Sequence, residues 1–250
     1  MEDHAQKWPN HVVLVRHGES ERNIHKEIAE AQGELVYGGD VRDVDVPLTE
    51  RGRAQAVETG KALATAYQFD RVFVSPYVRT RQTADILSQQ FANPIPQTIE
   101  ERIREIEFGT LDGLTREGIQ ARYPSEWERK QRLGKYWYRP PGGESYPDVA
   151  LRVHSFLGTI TREYSQRSVL VICHAVIVLQ FRKLIERLSD TELLAIDSDK
   201  AQDVWNCSVS HYEFDPSVGA GSKLIARCHS KVHYGADIAS EDCQKYAIIA

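Results

Sequence analysis

The sequence predicts an α/β fold with three layers, α/β/α, around a mostly parallel central sheet. Three short runs rich in apolar and β-branched residues, "HVVLVRH", "DRVFVSP" and "SVLVICH", have the composition of buried strands. Long stretches with helical periodicity separate them, and this alternation is typical of parallel sheets covered by helices. With 250 residues, of which 41% are hydrophobic, the chain is long enough for one core, so we expect a single domain over residues 1–250.

The helices are predicted from their capping residues and from the spacing of apolar side chains. Thr49 is of the N-cap type and precedes "ERGRAQAVETGKALATAY", and "SPYVRTRQTADILSQQ" contains the next helix. Ser145, followed three residues later by Asp148, has a capping-box pattern. The third helix that follows carries apolar residues at helical spacing, namely Val149, Val153, Phe156, Leu157 and Ile160. A fourth helix, "AVIVLQFRKLIERL", is apolar enough to pack against the sheet.

Three segments fall outside this regular alternation. Residues 109–143 are polar, rich in Tyr, Trp, Arg and Lys, and end in "RPPGGES", so we predict a helical lid-like insertion over one edge of the site. Residues 207–228 contain two predicted antiparallel strands, "SVSHYEF" and "SKLIARC", around a Pro/Gly turn. Residues 25–46 form an insert to which the sequence assigns no role.

Composition excludes several classes of protein. Lys and Arg total 31 against 36 Asp and Glu, a net charge of −5 that argues against a nucleic-acid partner. No apolar run approaches the length of a membrane span, and the opening "MEDHAQKWPNH" lacks the pattern of a secretory signal, so we expect a cytoplasmic protein without a membrane partner. The four cysteines show no metal-binding or disulfide spacing. Nothing in the sequence decides between a monomer and a homo-oligomer.

Polar residues of one chemical kind follow each of the three predicted strands. Arg16 and His17 end the first, Arg79 lies shortly after the second, and His174 follows the third. The carboxyl ends of parallel strands share one edge of a sheet, where ligands bind. Guanidinium forks match phosphate oxygens, and a neutral imidazole can donate to an oxygen or attack phosphorus. The sequence therefore predicts a site for a small phosphorylated substrate.

Five motifs, "LVRHGES", "PLTERGRAQA", "SPYVRTRQTA", "REIEFG" and "VICHA", resemble in this order those of the histidine phosphatase superfamily, also called phosphoglycerate-mutase-like. The resemblance spans nearly the whole chain. It implies that His17 is the nucleophile that becomes phosphohistidine and that Arg16 and Arg79 bind the phosphoryl oxygens. It further implies that Asn23 donates a hydrogen bond, and that His174 donates to the phosphoryl group and stabilises its charge in transfer. It requires no metal and no cofactor, because arginine and histidine supply the positive charge.

The resemblance assigns the acid to Glu105, which would protonate the leaving alcohol and then activate water. Glu107 is the competing candidate, and the spacing to Gly109 favours Glu105. Ser20 either contacts the substrate or simply caps a helix.

The residues that set substrate specificity match the family less closely than the five motifs do. Mutases of the superfamily show His-Tyr-Gly after the acid and Gly-Asn after the second histidine, whereas this chain has "EIEFG" and "CHAVIV", which is similar to the phosphatases. The stretch from "LTREGIQ" to "SVLVICH" also resembles the fructose-2,6-bisphosphatases, and Lys135 is shared with them. Four residues in this stretch and after His174 differ: those enzymes have Tyr, Arg, Gln and Arg where this chain has Arg116, Gln131, Ala175 and Leu179. Arg116 and Lys135 are the predicted substrate-binding residues of the lid. A sugar bisphosphatase, a phosphoglycerate mutase and a non-catalytic phospho-ligand-binding protein are the alternatives to a phosphatase of small metabolites.

Overall fold

A mixed six-stranded sheet forms the centre of the computed structural model, which describes residues 6–39, 41–218 and 224–248. In the described residues the strand order is β3-β2-β4-β1-β5-β6, with β1 to β4 parallel and β5 and β6 antiparallel. The mostly parallel sheet and the antiparallel C-terminal pair are confirmed, although part of the predicted turn, 219–223, lies outside the described residues. The strands are β1 (His11–Arg16), β2 (Arg71–Val74), β3 (Gln97–Ile99), β4 (Ser168–Cys173), β5 (Val209–Phe214) and β6 (Leu224–Lys231).

Helices pack on both faces of this sheet, which confirms the three-layer prediction. Along β1, Val12 and Leu14 belong to one apolar cluster, and Val13 and Val15 belong to the other. Alternate side chains of a strand point to opposite faces, so both faces are covered. The helices are α1 (Glu21–Gln32), α2 (Glu50–Ala66), α3 (Val78–Ser88), α4 (Arg116–Arg122), α5 (Pro124–Trp137), α6 (Tyr146–Glu163), α7 (Ala175–Glu186) and α8 (Asp190–Ser198), with a short helical segment at Glu241–Cys243 continued by Gln244–Ile248.

The predicted N-caps of α2 and α6 and the predicted apolar residues of α6 are present. Thr49 accepts a hydrogen bond from the N–H of Gly52 at the start of α2, and Ser145 forms a capping box with Asp148 at the start of α6. All five predicted apolar residues of α6 are buried. They belong to the cluster that also contains Ile177 and Phe181 of α7, as expected for two helices that share one face of the sheet.

The insert 25–46 begins inside helix α1. The sequence indicated a cap at Ser20 as one of two roles for that residue but did not predict how far the helix extends. Helix α1 has a capping box between Ser20 and Asn23 and ends at Gly33, whose φ of 68° is the left-handed conformation that glycine adopts readily. Its apolar residues are few, and Ala29 is the buried one, so the helix adds little to the core. Beyond α1, the N–H groups of Tyr37 and Gly38 donate to the carbonyl of Gly113, which joins the insert to the lid-like segment.

The lid-like segment 109–143 is helical, as predicted, and contains α4 and α5. Gly134 interrupts α5 with a φ of 76°. Its role as a lid stays a prediction. The cysteines are free thiols, and within the residues that the structure describes no helix combines the length and apolar character needed to cross a membrane.

Candidate active site

The register of the sheet brings the predicted polar residues to one edge. Arg16 at the end of β1 is paired with Cys173 at the end of β4, and Val74 of β2 pairs with Ile172. The next residue after each strand is His17, Ser75 or His174. These three side chains are 3%, 0% and 0% exposed, so the edge is a buried polar pocket rather than a solvated rim.

One ring nitrogen of His17 is held by a hydrogen bond, whereas the other has no hydrogen-bond partner among the described residues. Its Nδ1 lies 2.7 Å from the carbonyl oxygen of Gly18, and since a carbonyl only accepts, Nδ1 carries the proton. The lone pair is therefore on Nε2. Burial, and then the charges of Arg79 and Arg16, hold the pKa of His17 well below its usual range, so the ring is neutral near pH 7. A neutral imidazole with a free Nε2 is the form that can attack phosphorus.

The loop after His17 is packed against α2 and α3. The N–H of Gly18 donates to Thr83 Oγ1 at 3.0 Å, and the N–H of Glu19 donates to Gln55 Oε1 at 3.0 Å. A Cβ at Gly18 would collide with the backbone of Gly52, and a Cβ at Gly52 would collide with the backbone of Glu19. The glycines of the first two motifs are thus in mutual contact, which explains why neither position has room for a side chain.

His174 lies beside His17 with one ring nitrogen open. The two ring centroids are 5.2 Å apart, and His174 Nε2 lies 2.7 Å from Ser75 Oγ. Its buried Nδ1 has no hydrogen-bond partner among the described residues. When the Ser75 hydroxyl donates to Nε2, the ring proton is on Nδ1, available to an oxygen in the pocket. Burial, together with Arg79 and His17, holds the pKa of His174 well below its usual range.

Glu105, and not Glu107, faces His174. Glu105 Oε2 lies 4.0 Å from His174 Nδ1, whereas Glu107 is exposed and accepts from the N–H of Gly109. Burial raises the pKa of Glu105 despite the opposing hydrogen bond from Ile106 and the charge of Arg79. A raised pKa favours the protonated carboxyl that a general acid needs.

Both predicted arginines are in the pocket, and each is held by a group that the sequence did not indicate. Arg16 Nη1 donates to the carbonyl of Val204 at 2.6 Å, while its buried Nε has no partner among the described residues. Arg79 is 4% exposed and is bound by Asp43 of the insert. An unpaired buried guanidinium nitrogen is costly, so Arg16 Nε is a donor that an anionic ligand would satisfy.

Arg152 of α6 fixes the segment that carries Glu105. Its Nη1 donates to the carbonyls of Arg102 and Arg104 at 2.9 and 2.7 Å, and its Nη2 donates to the carbonyl of Glu105 at 3.2 Å. Glu144 accepts from Arg152 at 3.0 Å and from the N–H of Glu107 at 3.1 Å. Arg152 is 47 to 50 positions from the three carbonyls, and Glu144 is 37 positions from Glu107, so local spacing carries no signal of these contacts.

Ser20 and Asn23 form the N-terminus of α1. The Ser20 hydroxyl donates to Asn23 Oδ1 at 2.9 Å, which matches the capping role considered for Ser20. Asn23 Oδ1 also accepts from Asn206 at 3.3 Å, so the amide oxygen is engaged and the amide nitrogen is the donor left to Asn23. Contact of either residue with substrate stays a prediction.

Arg116 and Lys135 have partners within the protein. Arg116 stacks over the ring of Trp127 at 5.1 Å, and Lys135 pairs with Asp197 and lies 5.7 Å from the centre of the Tyr146 ring. Their predicted substrate contacts are not decided by these interactions. Among the described residues, no group of three or more His, Cys, Asp or Glu side chains is placed to hold a metal ion.

The constellation has the parts that phosphoryl transfer needs: a nucleophilic nitrogen, two guanidinium groups, a second imidazole and a carboxyl that is 14% exposed. A family model for the "Histidine phosphatase superfamily (branch 1)" matches residues 12–224. The chain belongs to this superfamily. The histidine phosphatase resemblance of the five motifs is thereby confirmed.

Relatives within the superfamily include both mutases and phosphatase-containing enzymes. A 2,3-bisphosphoglycerate-dependent phosphoglycerate mutase of Methylobacterium radiotolerans is 38% identical over 167 residues, 65% of this chain and 73% of that protein. A phosphoglycerate mutase-like protein of Arabidopsis thaliana is 35% identical over 176 residues, which are 65% of this chain but 57% of that protein. A 6-phosphofructo-2-kinase/fructose-2,6-bisphosphatase of Caenorhabditis elegans is 35% identical over 175 residues, 68% of this chain and 33% of that longer protein.

Solved structures of the same fold agree with the architecture. Bacillus stearothermophilus YhfR superposes with a TM-score of 0.70 at 25% identity, covering 89% of this chain and 97% of that one. The alpha-ribazole phosphatase from Shigella flexneri has a TM-score of 0.69 at 19% identity, covering 90% and 98% of the two chains. At that identity the second likeness shows the fold alone.

Proposed function

We propose that this histidine phosphatase superfamily member is a metal-independent phosphatase that hydrolyses phosphomonoesters of small metabolites, such as sugar phosphates, through a phosphohistidine intermediate. The observation that carries the proposal is the state of His17: Nδ1–H donates to Gly18, which leaves the Nε2 lone pair near two arginines, while Glu105 lies against the neighbouring His174. A residue that only bound phosphate would not need a free nucleophilic nitrogen.

In the first step, His17 Nε2 attacks phosphorus and the phosphorus–oxygen bond to the alcohol breaks. The electrons of that bond go to the leaving oxygen, which takes the proton of Glu105. In the second step, Glu105 removes a proton from water, the water oxygen attacks phosphorus, and the phosphorus–nitrogen bond breaks. Inorganic phosphate leaves, and His17 and the protonated Glu105 are regenerated.

Arg16, Arg79 and His174 act on the charge of the phosphoryl oxygens. Arg16 Nε and His174 Nδ1, which have no partner in the part of the chain that the structure describes, are the donors that the pocket offers to these oxygens. In transfer the three oxygens share negative charge, and fixed donors in a buried site stabilise that charge without reorganisation. Negative charge from the substrate would also favour protonation of His174, which strengthens its hydrogen bond.

A phosphoglycerate mutase is the second candidate, because several relatives at 31–38% identity are 2,3-bisphosphoglycerate-dependent mutases. The same histidine serves both reactions, and the two differ in whether the phosphohistidine is given to water or to a second alcohol. A fructose-2,6-bisphosphatase-like activity is supported by the Caenorhabditis elegans relative but requires contacts for a second phosphate. A phospho-ligand-binding protein is disfavoured because a neutral His17 and a carboxyl of raised pKa, Glu105, are groups that transfer needs and that binding alone does not.

The test is phosphate release from sugar phosphates, phosphoglycerates and fructose 2,6-bisphosphate, without added metal, by wild type and by His17→Ala. We expect release without priming, and a loss on the order of 10³-fold or more in the variant. Interconversion of phosphoglycerates that starts only after priming with 2,3-bisphosphoglycerate would instead identify a mutase. Absence of both reactions would favour a binding protein.

A further inference from the structure

Asp43 of the insert is bound directly to the arginine of the phosphoryl pocket. It lies in a short helical turn, Asp43–Asp45, and its side chain is 19% exposed. Arg79 Nη1 donates to the Asp43 carbonyl at 2.7 Å and to Oδ1 at 3.0 Å, and Arg79 Nη2 donates to Oδ2 at 3.2 Å. The edge of the sheet that carries His17 and His174 therefore contains a carboxylate besides Glu105.

The Asp43 contacts use one edge of the Arg79 fork. A guanidinium has five N–H donors, and a carboxylate that spans Nη1 and Nη2 occupies the end of the fork. The Nε–Nη2 edge is the one left for a phosphoryl group. Asp43 therefore does not have to leave when a phosphoryl group binds, and its negative charge stays beside the substrate.

Arg22 does not leave an unpaired positive charge beside Asp43. Its Nε lies 3.0 Å from Asp43 Oδ1, and it also pairs with Asp112 at the start of the lid-like segment. With a side chain 13% exposed, Arg22 is enclosed by these two carboxylates. We call Arg22, Asp43, Arg79 and Asp112 the rim network; it joins two cations and two anions.

We propose that Asp43 is a specificity-determining residue that disfavours substrates with a second anionic group close to the phosphoryl ester. The inference rests on the proposed phosphatase function. A carboxylate on the leaving alcohol would approach Asp43, whose arginine partners are already engaged, and the repulsion between two like charges in a poorly solvated pocket would be uncompensated. The preferred substrates are phosphomonoesters of alcohols that bear neutral hydroxyl groups or a cationic group.

The experiment compares two substrates that differ by one group. Glycerol 3-phosphate and 3-phosphoglycerate have the same three-carbon frame, with a hydroxymethyl group in the first where the second has a carboxylate. Asp43→Asn keeps the shape of the side chain and removes its charge. Asp45→Asn is the matched control, because Asp45 lies in the same turn but pairs with Arg42, and its side chain is 45% exposed.

We expect wild type to have the higher kcat/KM for glycerol 3-phosphate. Asp43→Asn should shift the ratio of the two kcat/KM values by about tenfold or more towards 3-phosphoglycerate, while Asp45→Asn should change it by less than about twofold. Three results would overturn the inference: a wild-type preference for 3-phosphoglycerate, an equal gain on both substrates in Asp43→Asn, or an equal loss on both.

A binding measurement separates this inference from the proposed function. Calorimetry on His17→Ala, with and without Asp43→Asn, gives the affinity for both compounds without turnover. If wild type releases phosphate from none of the sugar phosphates, phosphoglycerates and fructose 2,6-bisphosphate, the proposed function fails, yet a selective gain in 3-phosphoglycerate affinity upon Asp43→Asn would still support the role of Asp43. Equal affinity changes for the two compounds would overturn that role whether or not the enzyme turns over.

Discussion

The two ends of strand β1 each have a pair of imidazoles beside a tyrosine, yet only one end has the features of a reactive site. At the carboxyl end, His17 and His174 have centroids 5.2 Å apart, and Tyr77 lies 4.9 Å from His174. At the amino end, His11 and His211 are also 5.2 Å apart, and Tyr67 lies 5.1 Å from His211. Ring spacing therefore does not distinguish the two regions.

Hydrogen bonding does distinguish them. His211 Nε2 is 3.0 Å from His11 Nδ1, and its Nδ1 is 3.1 Å from the Tyr67 hydroxyl, so both of its nitrogens are engaged. His174 Nδ1 has no partner among the described residues. Burial and the neighbouring His11 lower the pKa of His211 to about 4, so a depressed histidine pKa is common to both ends. An open ring nitrogen next to arginine and a carboxyl, rather than a shifted pKa, identifies the reactive end.

Glu105→Gln should have the largest effect of the substitutions that sharpen this comparison. With glycerol 3-phosphate, whose leaving alcohol needs a proton, kcat/KM should fall by about 10²-fold or more. With nitrophenyl phosphate, a good leaving group, the loss should be below about tenfold. Because burial raises the pKa of Glu105, ionisation of this carboxyl should make kcat/KM fall on the alkaline side of the pH profile. Glutamine does not ionise, so this fall should disappear in the variant. Steady-state kinetics across pH test both points.

Glu107→Gln is the matched control for that experiment, because Glu107 is an exposed carboxyl two residues further on. It should leave both substrates within about twofold of wild type. Equal losses on the two substrates in Glu105→Gln would show that Glu105 is not the leaving-group acid.

Ser75→Ala should have a smaller effect, because it acts through His174. Removing the hydroxyl that binds Nε2 frees the ring to exchange tautomers, so we expect kcat to fall by about tenfold with KM nearly unchanged. Ring-nitrogen NMR shifts of His174 should move with the substitution. Ser208→Ala removes a buried hydroxyl that has no partner among the described residues and serves as the control. An unchanged kcat in Ser75→Ala, or an equal loss in Ser208→Ala, would contradict this role.

His211→Asn should leave activity at pH 7 within about twofold of wild type and change stability instead. The pKa of His211 is about 4 when folded against an ordinary value of 6.5, so the unfolded chain takes up the proton first as pH falls. Wild type therefore loses stability from about pH 6.5 downwards, and the variant should lose about 2 kcal/mol less between pH 7 and pH 4.5. Urea unfolding at the two pH values measures this. A parallel loss in both proteins would assign the acid sensitivity to other groups.

Much of the fold and of the catalytic edge was predictable because its signals are local. The five apolar positions of α6, the Thr49 and Ser145 caps and the polar residues at strand ends all follow from spacing within a few residues. Asp43 was not predictable as a partner of Arg79, because the two are 36 positions apart and an aspartate in a polar insert that holds other aspartates has the pattern of a solvated residue. The extent of helix α1 was not predicted, because the helix is mostly polar and contributes one buried residue, Ala29, to the interior.

The contact between Gly18 and Gly52 has an entropic consequence. Side chains from α2 and α3 bond to the backbone N–H groups of Gly18 and Glu19, and the glycine contact leaves no space into which the loop could swing. The conformational freedom of the loop that follows His17, the proposed nucleophile, is therefore lost during folding, not when the substrate arrives. Binding energy from the rest of the substrate is then available for orienting the ester and for distinguishing one alcohol from another.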